Sequence, residues 1–223
     1  MPTEVKICGL SEEESVDAAL QAGADFVGFM LFPPSPRNVS LERAAALAAR
    51  ARGRAKIVAV TVDGDDTLFR GIAETLRPDI LQLHGKETPE RVSAIRAAFG
   101  ISVMKVFGVA TRNDLSAYAD YSTDRLLLDA KPPKDATRPG GHGVAFDWTI
   151  LAGFAPSVPW FLSGGLDPKN VATALRATRA PGVDVSSGVE SAPGKKDLGR
   201  IDAFVRAVRD FDRAAAAAKE YAA

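Results

Sequence analysis

Cysteine occurs once in the 223 residues, at Cys8, so the chain cannot close an internal disulfide, and a reducing compartment, the cytoplasm, is expected. Histidine is nearly as scarce, with His84 and His142 alone. No apolar run is long enough to span a bilayer, and the opening residues carry no basic-plus-apolar signal segment, so neither a membrane span nor a leader is expected. Charge of one sign is also missing, because 28 Lys and Arg balance 28 Asp and Glu. Nucleic acid or an acidic membrane would need clustered positive charge to displace counterions, so neither is expected as a partner. No Pro/Gly/Ser-rich linker divides the chain, and no dinucleotide fingerprint follows its first apolar segment. The remaining profile is ordinary for a globular domain, 46% hydrophobic and 25% charged.

Residues 5–9 open an alternating pattern as an extended segment, in which Lys6 and Cys8 should share a face. Ser11 with Glu14 reads as a capping box, and the acidic first turn suits a helix that ends near Gly23. Residues 25–30 are a short continuous apolar run, the mark of a buried parallel strand. Pro33, Pro34 and Pro36 then exclude regular structure and leave a stiff loop presenting Arg37. Further strands are expected at 56–62, 80–84, 102–107, 125–129, 160–163 and 183–186. Helices are expected at 40–52, 65–76, 88–99, 113–118, 168–176 and 198–212, and a polar loop over 131–143 precedes Phe146, Asp147 and Trp148. Eight apolar strands alternating with eight helical segments point to a single (β/α)8 TIM barrel over residues 1–212, with an alanine-rich helical tail at 213–223. A doubly wound open sheet fits less well, having fewer strands or more residues.

Active sites of such barrels form at the carboxyl ends of the strands, so polar residues there carry functional weight. This chain has Cys8, Arg37, Gln82 and His84, Asp129, Ser163, and Asp184 and Ser186 at those positions. Any one of them could be a satisfied structural group, and a lone cysteine usually just packs. Their concentration at one rim favours a ligand site. Ser163, Gly164 and Gly165 follow the seventh strand, and Ser186, Ser187 and Gly188 follow the eighth, the two loops where such barrels often bind phosphate. Glycine lets backbone amides approach an anion, and serine hydroxyls add donors. Asp184 would repel a phosphate it faced, so its place in that site is as organiser of the loop backbone.

The motifs Lys6-Ile7-Cys8-Gly9, Gly28-Phe29 with Pro36-Arg37, Leu81-Gln82-Leu83-His84-Gly85 and Leu127-Leu128-Asp129 lie in one order along the chain. Gly140-Gly141-His142-Gly143 with Phe146-Asp147-Trp148, Ser163-Gly164-Gly165-Leu166, and the segment from Asp184 to Glu190 complete the set. Together they resemble phosphoribosylanthranilate isomerase of tryptophan biosynthesis, from about Lys6 to Phe211. The resemblance implies a (β/α)8 barrel and a cofactor-free Amadori rearrangement of N-(5′-phosphoribosyl)anthranilate to 1-(2-carboxyphenylamino)-1-deoxyribulose 5-phosphate, with no metal. It makes Cys8 the general base and Asp129 the general acid, sets Arg37 near the anthranilate end, and leaves Gln82, His84 and His142 to contact substrate. His142 departs from the family pattern, in which a small hydroxyl residue is usual.

The chemistry needs a proton delivered to the furanose oxygen as the glycosylamine opens, then a base to remove the proton from the sugar C2. A free thiol ionises near 8.5 and a free aspartate near 3.9, so both groups need shifting toward neutrality. Lys6 would favour a Cys8 thiolate electrostatically, and an apolar surround such as Leu127 would favour a neutral Asp129. The rivals are another phosphosugar barrel, either an aminoaldose isomerase with two aspartates or indole-glycerol phosphate synthase, and a non-catalytic phosphometabolite-binding barrel. The oligomer is expected to be a monomer or a homodimer.

Overall fold

A closed ring of eight parallel strands follows chain order in the computed structural model, which describes residues 1–131 and 146–220. The strands are β1 (Glu4–Cys8), β2 (Phe26–Met30), β3 (Lys56–Thr61), β4 (Ile80–Leu83), β5 (Ser102–Val109), β6 (Arg125–Ala130), β7 (Trp160–Leu162) and β8 (Gly182–Val185). The ring shuts where β8 pairs with β1, placing Lys6 opposite Asp184 in register. Alternation along each strand sorts the side chains into two layers. Phe26, Val58, Val60, Ile80, Met104, Val106, Leu127, Phe161 and Cys8 form one apolar cluster inside the barrel. Intervening residues such as Val5, Ile7, Val27, Ile57, Leu81, Val103 and Leu128 belong to the larger core beneath the helices. Phe26 and Phe161 meet edge to face with centroids 5.2 Å apart, and the Arg125 guanidinium covers both while pairing with Glu4 at 2.6 Å. That floor closes the end of the barrel remote from Cys8.

The outer layer holds α1 (Glu13–Ala22), α2 (Leu41–Ala51), α3 (Asp66–Gly71), α4 (Pro89–Phe99), α5 (Val171–Thr178) and α6 (Leu198–Glu220). Thr88 caps α4 by accepting from the Arg91 N–H, with Pro89 in the first turn where its missing donor costs nothing. α3 continues directly into a π-helical turn over Ile72–Leu76. Several expected boundaries move. Ser11 is not the cap of α1: Glu12 holds that position with no side-chain cap, and the Ser15 hydroxyl donates to the Glu12 carbonyl instead. The helix expected at 113–118 is a short 3₁₀ turn, Arg112–Ser116, and a second such turn runs over Trp148–Leu151. α5 begins at Val171 because the Asp167 carboxylate accepts from the N–H groups of Lys169 and Asn170, which holds residues 167–170 in a turn. α6 runs on past residue 212 to Glu220 as one helix, as expected of the alanine-rich tail. A two-stranded antiparallel ribbon, β9 (Glu190–Ala192) and β10 (Lys195–Lys196), stands between β8 and α6 and was not expected from the sequence. Among the described residues no helix is long and apolar enough to cross a membrane.

Candidate active site

Lys6 and Cys8 do share the inner face of β1, and both are buried. A side chain at Gly28 on the neighbouring strand would place its Cβ 3.0 Å from Cys8 Sγ and 3.3 Å from Lys6 Nζ, so the glycine leaves the space in which thiol and ammonium meet. Lys6 Nζ donates to Asp184 Oδ1 at 2.6 Å, and the Ser163 hydroxyl donates to Asp184 Oδ2 at 3.1 Å. Burial opposes the charge on Lys6, but Asp184 and the Cys8 thiolate together hold its pKa above that of a free lysine. Burial pushes the Cys8 thiol up, and the pull of Lys6 reverses only part of that rise. The expectation that Lys6 would favour the thiolate is right in sign. Desolvation is the larger effect, so in the unliganded site the thiol lies above its ordinary value.

Asp184 therefore organises its surroundings through its carboxylate, not through the loop backbone. Of the three serines expected to donate to phosphate, Ser163 and Ser186 face inward, the Ser186 hydroxyl donating to the Cys8 carbonyl. What the loops do offer is amide groups. Gly164 and Gly165 have left-handed φ values of 86° and 64°, Ser187 and Gly188 open a 3₁₀ turn, and no described residue accepts from the N–H groups of these four. The loops are packed against each other and against Asp129. A Cβ at Gly188 would fall 1.9 Å from the Leu166 carbonyl oxygen, and one at Gly164 would fall 2.5 Å from the Ala130 nitrogen and 3.1 Å from Asp129 Oδ1.

Across the mouth, Asp129 ends β6 buried, with Oδ1 accepting from the Ala130 N–H at 2.8 Å. His84 Nε2 stands 3.4 Å from Asp129 Oδ2, without the alignment of a hydrogen bond, and His84 Nδ1 lies 3.4 Å from Gln82 Nε2. Gln82 Oε1 and His84 Nε2 are buried without a hydrogen-bond partner among the described residues, so this rim carries two unpaired polar atoms. His142 lies outside the described residues. No group of three or more His, Cys, Asp or Glu side chains among the described residues is placed to hold a metal ion.

Arg37 is buried and locked, not merely presented. Its Nε and Nη2 donate to the two carboxylate oxygens of Glu190 at 2.6 and 2.8 Å, and its stem lies over Gly9, where a Cβ would come 2.6 Å from Cδ. Lys196 completes the cluster, donating to Glu190 Oε1 at 2.8 Å and to the Ser186 carbonyl at 2.9 Å. Burial raises the Glu190 carboxyl, but Arg37 and Lys196 outweigh it and bring the group below its ordinary value. Burial also lowers the Lys196 ammonium, and Glu190 recovers only part of that. Glu190 and Lys196 had no role in the sequence reading. The one available signal was a Pro-Gly turn, Pro193-Gly194, between two charged segments, which marks a ribbon folding back on the rim.

The rim thus brings together a buried thiol beside an ammonium, a carboxyl group beside an imidazole, a locked guanidinium and a pair of amide-lined loops. That set suits acid–base chemistry on a small anion. Known proteins agree with it. The family model for N-(5′-phosphoribosyl)anthranilate (PRA) isomerase matches residues 5–207. The N-(5′-phosphoribosyl)anthranilate isomerase of Nitrobacter hamburgensis is 59% identical over 207 residues, covering 92% of each chain. That of a Rhodopseudomonas palustris strain is 58% identical over 215 residues, covering 96% of this chain and 99% of the relative. Crystal structures of phosphoribosylanthranilate isomerase match at TM-scores of 0.82 for the Thermotoga maritima protein, 33% identical, and 0.80 for one bound to reduced 1-(o-carboxyphenylamino)-1-deoxyribulose 5-phosphate, 32% identical. Both cover 93% of this chain and 99% of the other. The chain belongs to the phosphoribosylanthranilate isomerase family and isomerises N-(5′-phosphoribosyl)anthranilate in tryptophan biosynthesis.

Proposed function

We propose that Asp129 is the general acid and Cys8 the general base of this isomerisation. The observation that carries the reading is their placement on separate strand ends of one mouth, Asp129 against His84 and Cys8 against Lys6. Asp129 gives its proton to the furanose oxygen while the bond from that oxygen to C1 breaks and the nitrogen lone pair forms the iminium. Cys8 as thiolate then takes the C2 proton, and that electron pair becomes the C1=C2 bond of an enolamine. Loss of the C2 hydroxyl proton and protonation at C1 give the aminoketone. The enzyme is reset when the Cys8 thiol releases its proton to water and Asp129 regains one. Each such transfer contributes about 10²–10⁴-fold.

Ser163, Gly164, Gly165, Ser186, Ser187 and Gly188 form the phosphate end in this reading, the glycine-region amides touching the anion while Ser163, Ser186 and Asp184 hold the loops. Arg37 takes the anthranilate carboxylate with Nη1, the nitrogen outside its Glu190 pair, and Gln82, His84 and His142 contact the sugar and aryl amine. No cofactor or metal enters the scheme. Residues 1–212 are the catalytic barrel and 213–223 a tail. A cytoplasmic monomer or homodimer completes the reading.

The test generates phosphoribosylanthranilate in the cuvette and follows its fluorescence decay with wild-type, Cys8→Ala and Asp129→Asn proteins. Decay with the wild type and loss of at least about 10²-fold in both variants is expected. Normal turnover by either variant would remove that residue from its role.

A further inference from the structure

His84 Nε2 stands 3.4 Å from Asp129 Oδ2, and the backbone on either side of His84 is held by a buried ion pair. Lys105 sits on β5 between Met104 and Val106, both of which point into the barrel, so its own side chain points outward, away from any substrate. There it is buried, 3% exposed, and paired at 2.8 Å with Glu87, which is 5% exposed. The ammonium donates to the carbonyl oxygens on either side of His84, those of Leu83 at 3.3 Å and Gly85 at 2.8 Å. The Glu87 carboxylate accepts from the Gly85 N–H at 3.0 and 3.2 Å and from the Asp63 N–H at 3.0 Å. The peptide units flanking His84 are therefore gripped by both members of one ion pair. The His84 N–H itself is tied to the Thr61 carbonyl at 2.9 Å.

Two buried charges recover little net stability, because desolvation offsets most of their attraction. Their contacts converge instead on one residue, at the point where β4 leaves the barrel. We propose that Lys105 and Glu87 are positioning residues that act through His84, fixing its ring against Asp129. The inference rests on the reading of Asp129 and His84 as site residues. A His84 backbone free to shift would carry the imidazole away from the acid, and a misplacement of about 1 Å can cost about 10²-fold.

The experiment is a double-mutant cycle on turnover of phosphoribosylanthranilate, using Glu87→Gln, His84→Asn and the double variant, with Lys105→Met as a second entry into the clamp. Glu87→Gln is the informative change, being isosteric and retaining a carbonyl acceptor. Each single variant is expected to lose at least about tenfold in kcat/KM, and the double variant to fall no more than about twofold below His84→Asn. Losses that multiply would show that the clamp acts by general destabilisation and would overturn the proposal. Full activity in His84→Asn, with Cys8→Ala still inactive, would overturn the His84–Asp129 reading and the proposal with it while leaving the base assignment standing.

Discussion

The base role proposed for Cys8 poses the residue-scale problem of the site, since it asks a thiol to ionise where burial disfavours charge. Three charged groups face it: Lys6 on its own strand, Asp184 on β8 and Lys196 on β10. Lys6 and Lys196 favour the thiolate and Asp184 opposes it, yet burial wins and the free-enzyme thiol is raised. The rate should therefore climb with pH through the alkaline range, as the base becomes ionised. Replacing Lys6 by Met removes the nearer cation, so the rising limb of kcat/KM should move to higher pH, each unit costing about tenfold at neutral pH. Asp184 is then left buried and unpaired, at about 3–5 kcal/mol in stability, and Lys6→Met/Asp184→Asn should recover part of that and bring the limb part of the way back, because Asp184 itself opposes the thiolate. A pH profile is the check, and a limb that stays in place excludes Lys6 as the group that tunes the thiol. The Lys6–Cys8 face was legible in the sequence from strand alternation alone. The Arg37–Glu190–Lys196 cluster was not, because Glu190 pairs with Arg37 across 153 positions and with Lys196 across 6, on a ribbon with no periodic signal.

At the scale of elements, the loops after β7 and β8 act as one unit. A side chain at Gly188 would press on the Leu166 carbonyl so closely that it must push the loops apart, and one at Gly164 would crowd the Ala130 nitrogen at the end of β6. Gly188→Ala should therefore raise KM at least about tenfold and spare kcat, since it disturbs the amides proposed to hold the substrate's non-reacting phosphate. Gly164→Ala should lower kcat as well, because its Cβ would reach Asp129 Oδ1 and its φ of 86° disfavours any side chain. Steady-state kinetics on the two variants separate these outcomes, and equal effects on both parameters would refute the division of labour. The strands were legible because continuous Val, Ile, Leu and Phe runs leave few alternatives to buried parallel sheet. Helix ends were less so. Ser11 has the right residue three positions before Glu14, but the chain turns at Glu12, and local capping patterns do not say which of two adjacent turns the tertiary fold will use.

For the molecule as a whole, acid is the informative stress. Glu13, bonded to Arg43, and Asp114, held mainly by the N–H groups of Ala110 and Thr111, are each lowered to a pKa of about 2. Asp17, bonded to Arg50, and Glu190, between Arg37 and Lys196, are also lowered. A carboxyl group whose folded pKa lies below its unfolded value adds stability that is complete above the unfolded value and is lost as pH falls toward the folded one. The melting temperature should thus be flat from pH 7 to about 5 with respect to these groups and drop from about 4.5 toward 2. Salt divides the contributors. The Glu13–Arg43 and Asp17–Arg50 pairs lie in solvent at the α1–α2 surface and should weaken as ionic strength rises, whereas the Arg37–Glu190–Lys196 cluster is buried and screened far less. Melting curves at pH 7, 5, 4 and 3, each at low and high salt, measure both effects. A melting temperature that holds constant down to pH 3 would show that these carboxylates gain nothing from folding, and a low-pH loss that vanishes entirely in high salt would assign it to the surface pairs alone and remove Glu190 from the account.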